Sequence, residues 1–262
     1  MTEPSSRPGE AAGWPKLAIK YRTDPNAIAD LLPAGLKQIG DPVVSIGIYC
    51  VPVHGEPEYG ISTKIPASFD GKDGQYTLGI GIDQESAIFV SRETNGQPKF
   101  PCEITFFRLG DDVVARCSHQ GYTFLEYRGA STGALELSGE ETEDNEWWIK
   151  ASRAVGGIEK EYDFPPHVVH VRTAGVDAHI EALDGELTLR DSPWDPYTAL
   201  LPNLELLSAQ LLTRRHTARE IALAGPLDPD AFWPHADTIG GSRWPGERGA
   251  PRATPLSFGA RK

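Results

Sequence analysis

The chain has little sulfur and no long apolar run. It holds three cysteines, Cys50, Cys102 and Cys117, and one methionine in 262 residues. The cysteines are odd in number and form no Cys-x-x-Cys pair, which argues against a disulfide framework and a structural zinc site. They read as reduced thiols of a cytoplasmic protein, buried as small hydrophobes. No segment approaches the roughly 20 apolar residues of a membrane-spanning helix. The opening MTEPSSRPGEAAGWP lacks a basic stretch followed by an apolar one, so no secretory signal is expected. Positive charge is also scarce, with 25 Lys and Arg against 37 Asp and Glu and a net charge of -12. That balance disfavours nucleic acid and anionic membranes as partners, and any carboxylate ligand would need a locally positive pocket. Gly-x-Gly-x-x-Gly, the P-loop, Gly-x-Ser-x-Gly and His-Glu-x-x-His are all missing, so no nucleotide, metal or other cofactor is expected.

What is present is a core's worth of apolar residues, 39% of the chain, arranged as short β-like runs. VVSIGIYCVPV (43–53), YTLGIGI (76–82), SAIFVSRE (86–93) and CEITFFRL (102–109) read as strands. DVVARCSHQGYTFLEYRG (112–129), WWIKASRAV (147–155), HVVHVRTAGV (167–176) and HIEALDGELTLRD (179–191) continue the series. Gly, Pro and Asp or Asn separate these runs at short intervals. Two helices are expected. DPNAIADLLPAGL (24–36) has an Asp N-cap and Pro25 at the first helical position, and NLELLSAQLLTRRHTAREIAL (203–223) repeats apolar residues at three and four. The expected architecture is one domain over 14–241, mainly β with flanking helices (α+β). About ten mostly antiparallel strands would form a closed or partly closed barrel around a pocket. Residues 1–13 and 242–262 are polar or Pro/Gly-rich and are expected to be flexible.

Several residues could carry chemistry. His167 and His170 stand three apart on one strand, which puts them on opposite faces and disfavours a metal pair. EETEDNE (140–146) reads as a solvated loop between strands. Of Trp147 and Trp148, one should enter the core and the other could line a pocket or an interface. His119, Tyr122 and Tyr127 lie on expected strands and are weighed as cavity residues against core or surface. The single lysine of SRETNGQPKF (91–100) follows a turn at Thr94-Asn95-Gly96, with Pro98 fixing the backbone ahead of Lys99. Spacing alone makes Lys99 a surface residue.

A wider pattern reverses that reading. An apolar strand, the triplet Ser91-Arg92-Glu93, a short turn and Pro98-Lys99 resemble the signature of the acetoacetate decarboxylase superfamily. Other pieces follow in the order of that superfamily: YRTDPNAIADLLPAGL (21–36), KIPASFDGKDGQY (64–76), EWWIKA (146–151) and LLSAQLLTRRHTAREIAL (206–223). The resemblance spans about residues 14–225. It implies an antiparallel β-barrel or cone enclosing a buried pocket, assembly as a homo-oligomer, and a Lys99 that forms an iminium with a ketone or keto acid. A lysine near pKa 10.4 is protonated at neutral pH and cannot attack a carbonyl, and burial in an apolar pocket lowers its pKa.

The chain also departs from the pattern. Phe100 stands where the decarboxylases place a second lysine, Trp14 where they place the arginine for the substrate carboxylate, and Gly47 at one carboxylate position. Gly60 or Ile61 occupies the other, with Glu58 nearby but out of register. The expected catalytic residues are Lys99 and, as acid or base, Glu93. Arg92, Phe100, Trp14, Gly60, Ile61 and Tyr122 are expected at the substrate. The expected activity is Schiff-base lyase chemistry on a small carbonyl compound other than acetoacetate. Aldolase, dehydratase or cyclase chemistry and a non-catalytic binding barrel are the alternatives.

Overall fold

A computed structural model describes residues 15–53, 55–236 and 242–245. In chain order the first elements are β1 (Lys16–Arg22), α1 (Pro25–Leu31), β2 (Val43–Val53), β3 (Glu56–Phe69), β4 (Lys72–Ile82), α2 (Glu85–Asn95) and β5 (Lys99–Pro101). They are followed by β6 (Glu103–Leu109), β7 (Asp112–His119), β8 (Tyr122–Ala134), β9 (Glu141–Arg153) and β10 (Tyr162–Leu189). The last are α3 (Tyr197–Leu200), β11 (Glu205–Pro226) and α4 (Pro229–Ala236).

Seven strands close a ring in the order β11-β1-β2-β3-β4-β9-β10, and β10 returns to β11. Six of the seven pairings are antiparallel, and β4 with β9 is parallel. An odd-membered ring cannot alternate direction throughout, so one parallel pair is a condition of closure. β11 pairs with β1 over 205–212 and with β10 over 210–226, so the ring is tight at one level and splayed beyond it. The second half of β10 leaves the ring and continues through β8 and β7 to β6. β6 packs back against β2, β3 and β4.

Side chains alternate across each strand. The outward face of the ring carries Leu17, Ile19, Ile46, Ile48, Ile61, Ile65 and Trp147, which join Val113, Ala115, Phe124 and Tyr127 of the outer sheet in one apolar core. The inward face is different. It carries Lys16, Tyr49, Glu58, Lys64, Thr77, Glu146 and Trp148, as the cross-strand registers require.

Four expectations change. The run 86–93 is the helix α2 rather than a strand. β4 and β5 pair in parallel, and parallel neighbours need a crossover that a hairpin cannot supply. The run 203–223 is β11, not a helix, because ring closure demands a strand between β1 and β10 and outweighs helix-like spacing. Residues 141–146 of the acidic run belong to β9. Ser242, Arg243 and Trp244, expected in a flexible tail, are buried, and the Arg243 N–H donates to the Leu78 carbonyl at 2.6 Å. The short helix near residue 24 forms as α1, with the Asp24 carboxylate accepting from the Asn26 N–H at 2.8 Å. No described helix is long and apolar enough to cross a membrane.

Candidate active site

Lys99 opens β5, four residues after the end of α2. Gly96 ends that helix in the left-handed conformation (φ 67°), and its N–H donates to the Arg92 carbonyl. A side chain at Gly96 would be strained by this φ and would meet the backbone of Lys150. The turn is therefore fixed both by its own conformation and by β9. Arg92 donates from Nη1 to the Lys99 carbonyl at 2.9 Å, and the Ile80 N–H donates to the Pro98 carbonyl at 2.9 Å. α2 lies over the inward face of β4, where Ile88 packs on Ile80 and Ile82. The register of Lys99 with Ile80 and of Phe100 with Gly81 then sends Lys99 inward and Phe100 outward.

Inside the ring, Lys99 is 9% exposed and Glu58 4% exposed. The Lys99 Nζ stands 3.7 Å from Glu58 Oε2, an ion pair rather than a close hydrogen bond. Burial lowers the pKa of Lys99, the Glu58 carboxylate opposes that fall, and Arg219 reinforces it. Burial raises the pKa of Glu58, and Lys99 holds it back. Desolvation thus pushes both groups toward their neutral forms. Tyr49, in register with Gly60, lies across β3 beside this pair. A Cβ on Gly60 would run into the Tyr49 ring, so only glycine leaves room for it. Burial, then the charge of Glu58, raises the phenol pKa well above its ordinary value.

A second polar cluster lines the same face. Lys64 Nζ donates to Glu146 Oε2 at 2.6 Å, and Thr77 and the Trp148 indole both donate to Glu146 Oε1. These bonds and the Lys64 charge outweigh desolvation and keep the Glu146 carboxyl below its usual pKa. The Lys16 side chain runs over Gly47, its Cδ 3.1 Å from where a Cβ would stand. Burial, with Lys64 nearby, brings the Lys16 ammonium down to about 8. A cleft of about 530 Å³ elsewhere, lined in part by Gly35, Lys37, Phe69 and Gly225, does not include Lys99 and Glu58.

The expected site residues divide. Lys99 and Gly60 face inward, and Arg92 reaches the site through the Lys99 backbone. Glu93 is exposed on α2, because the segment is a helix that turns this position to solvent. Phe100 is 2% exposed and packs at a tilt against His119, ring centroids 4.7 Å apart, so it belongs to the outer core. Ile61 is in that core by strand alternation. Tyr122 opens β8 opposite His119, in the outer hairpin. Trp14 lies outside the described residues. Trp147 enters the core and Trp148 faces the interior. His170 bonds Asn145 at 2.7 Å and His167 the Pro165 carbonyl at 2.9 Å. Glu146, Lys16 and Tyr49 carry no sequence signal that marks them as site residues, and Glu58 stands out of register with the family pattern. For Glu58 and Tyr49 the available signal was strand parity with Gly60.

Comparison with known proteins gives a consistent picture. The family model described as acetoacetate decarboxylase (ADC) matches residues 2–225. An acetoacetate decarboxylase of Chromobacterium violaceum is 36% identical over 103 residues, 38% of this chain and 42% of that protein. Acetoacetate decarboxylase 1 of Bradyrhizobium diazoefficiens is 32% identical over 105 residues, 38% of this chain and 41% of that protein. The matched segment thus spans about two-fifths of these relatives. Among solved structures, the acetoacetate decarboxylase of Legionella pneumophila superposes with a TM-score of 0.71 at 16% identity, covering 86% of this chain and 94% of that one. The enduracididine biosynthesis enzyme MppR, complexed with pyruvate, superposes with a TM-score of 0.65 at 16% identity over 85% and 93%.

Proposed function

Because this chain belongs to the acetoacetate decarboxylase family, we propose that it is a Schiff-base lyase in which Lys99 forms an iminium with a keto acid or ketone. The observation that carries this reading is the Lys99–Glu58 pair, 3.7 Å apart inside the ring, with burial driving the amine pKa down and the carboxyl pKa up. A proton passed from ammonium to carboxylate leaves a neutral amine and a neutral acid. The amine attacks the carbonyl carbon, the C–N bond forms, and water leaves with the carbonyl oxygen. The iminium then takes up the electron pair released when a C–C bond to CO₂ or a C–H bond breaks. Glu58 gives its proton to the departing oxygen as the iminium forms, takes up another from solvent or from the broken C–H bond and delivers it to the enamine carbon, and hydrolysis of the iminium frees the amine.

Acetoacetate is not the proposed substrate. The second lysine of the decarboxylases is Phe100 here and faces the core, and Lys16 occupies the space over Gly47 where the family pattern has a carboxylate. The same observation favours a second reading, in which the iminium serves aldol or dehydration chemistry. A homo-oligomer belongs to the proposal, supported by β11 over 213–226, which pairs with β10 on one side and with no described strand on the other. A cytoplasmic setting is supported by three free thiols.

The test is borohydride trapping with a panel of β-keto acids, 2-oxo acids and ketones, read by intact mass. A reduced adduct is expected on the wild type and none on a folded Lys99→Arg variant, since a guanidinium keeps its proton and forms no imine. Adduct formation in Lys99→Arg, or none in the wild type, sinks the Schiff-base reading. Reversible binding without an adduct leaves the non-catalytic barrel.

A further inference from the structure

β4 and β9 run side by side in parallel for two residue pairs only, Gln75–Glu146 and Tyr76–Trp147. Beyond them the strands part, and β5 takes the place beside β4, with Lys99 opposite Ile80. Residues 242–244 lie in the seam that opens there. The Arg243 N–H donates to the Leu78 carbonyl of β4 at 2.6 Å, and Arg243 Nη2 donates to the Ile149 carbonyl of β9 at 2.9 Å. One residue thus ties both walls where they no longer bond each other. The turn before Lys99 rests against the same Ile149 carbonyl, since a Cβ on Gly96 would come within 2.6 Å of its oxygen. On the other wall, a Cβ on Gly79 would meet Phe100 at 3.0 Å and Ser242 at 3.3 Å. The segment and the residue after Lys99 therefore press on one point of β4. Trp244 is 3% exposed and stands edge-on to Tyr197, ring centroids 5.1 Å apart. Burial raises the Asp195 pKa, and His119 and then the Trp244 indole oppose that rise; His119 in turn packs against Phe100. Burial, then the charge of Arg243, brings Arg92 down to about 10, and Arg92 is the side chain that holds the Lys99 carbonyl. The family match ends at residue 225, so the seam is closed by residues beyond the stretch that carries the family pattern.

We propose that Arg243 and Trp244 are positioning residues for Lys99, the segment 242–244 clamping β4 to β9 and so fixing β5 and the turn that precedes it. This rests on Lys99 as the imine-forming residue. β5 is only three residues long and bonds one neighbouring strand, β4, so its own ladder holds it weakly. With the clamp released, the Gly96 turn and β9 can move away from β4, and water reaches the Lys99 amine. Lost burial returns that amine toward its ordinary, protonated state at neutral pH. The 3.7 Å approach to Glu58 Oε2 is loosened in the same movement. Arg243 and Trp244 act through the backbone of β4, β9 and β5, not by touching the carbonyl compound.

The experiment compares full-length wild type, Arg243→Met, Arg243→Lys and Trp244→Phe by cyanoborohydride trapping with butanone and pyruvate. The rate of adduct formation is followed across about pH 6 to 10, the range in which a buried amine titrates. Val113→Ala is the control, a truncation in the core of the outer sheet that lowers the melting temperature without reaching the seam. In Arg243→Met and Trp244→Phe the midpoint of the pH profile is expected to move up. Their rate at pH 7 should fall about tenfold, the loss of free amine that one pH unit produces. Arg243→Lys keeps a donor for the Ile149 carbonyl and should recover part of that loss, while Val113→Ala keeps the wild-type midpoint. Trp244→Phe, the milder change, decides the matter where Arg243→Met does not fold. Wild-type midpoints in the seam variants, or a Val113→Ala midpoint that moves as far as theirs, overturn the positioning role while leaving Lys99 as the nucleophile. A wild type that traps neither compound overturns the Lys99 reading itself, and the clamp with it.

Discussion

Phe100→Lys restores, in sequence, the second lysine of the decarboxylases, and the fold says that it should fail. Phe100 is 2% exposed, and its ring packs at a tilt against His119 with centroids 4.7 Å apart. His119 is itself engaged, its Nδ1 2.7 Å from Asp195 Oδ2. Truncating a buried phenylalanine costs about 3–5 kcal/mol, and the ring pair adds about 1 kcal/mol. The lysine stem refills part of that space, so about 3 kcal/mol is a floor. The amine must then enter the core. Giving up its proton at pH 7 costs about 4.6 kcal/mol from an ordinary pKa of 10.4. Keeping the charge, without a free carboxylate to meet it, costs at least as much. The total exceeds about 7 kcal/mol, comparable with the whole stability of a typical domain, about 5–15 kcal/mol. Urea denaturation followed by tryptophan fluorescence should show a variant that is unfolded or retains a small fraction of the wild-type stability. Phe100→Leu should lose far less and still be trapped at Lys99. A Phe100→Lys protein within about 1 kcal/mol of wild type that decarboxylates acetoacetate faster would show that residue 100 faces the cavity, and would refute the register on which the site is built.

Two further outcomes follow from the electrostatics of the interior. Glu58 raises the pKa of Lys99 against the effect of burial, so Glu58→Gln should lower it further. The pH profile of adduct formation would then move to lower pH while turnover falls, and an unmoved profile would separate the two residues. Lys16 is brought down to about 8 in the folded state, so the unfolded chain binds more protons between about pH 8 and 10.4 and wild-type stability rises with pH across that window. Lys16→Met should therefore raise the melting temperature at pH 7, with the gain shrinking as pH rises toward 10.4; an equal gain at both ends of the window would assign it to packing alone.

Much of the fold was legible because strand periodicity is local. The runs at 43–53, 76–82, 102–109 and 112–129 needed only alternation and the glycines between them. The failures were at 86–93 and 203–223. The first has four consecutive apolar residues that suit a buried strand as well as a helix, and Phe89 and Val90 prove to be exposed on α2. The second has helix-like spacing because β11 serves β1 with one stretch and β10 with another, with register shifts along its length. Local pattern cannot see a partner strand.

By itself the sequence determined a mainly β chain, the family to which it belongs and the lysine proposed to carry its chemistry, since motif order and the Pro98-Lys99 turn are written along the chain. Tertiary structure alone decided which face each strand turns inward. A shift of one residue in β3 or β5 exchanges Glu58 with a neighbour, or Lys99 with Phe100, between cavity and core. The Lys99–Glu58 pair joins residues 41 apart in number. Ring closure brings them together on the inward face, and burial there, which no local stretch encodes, shifts the pKa values of Lys99 down and Glu58 up.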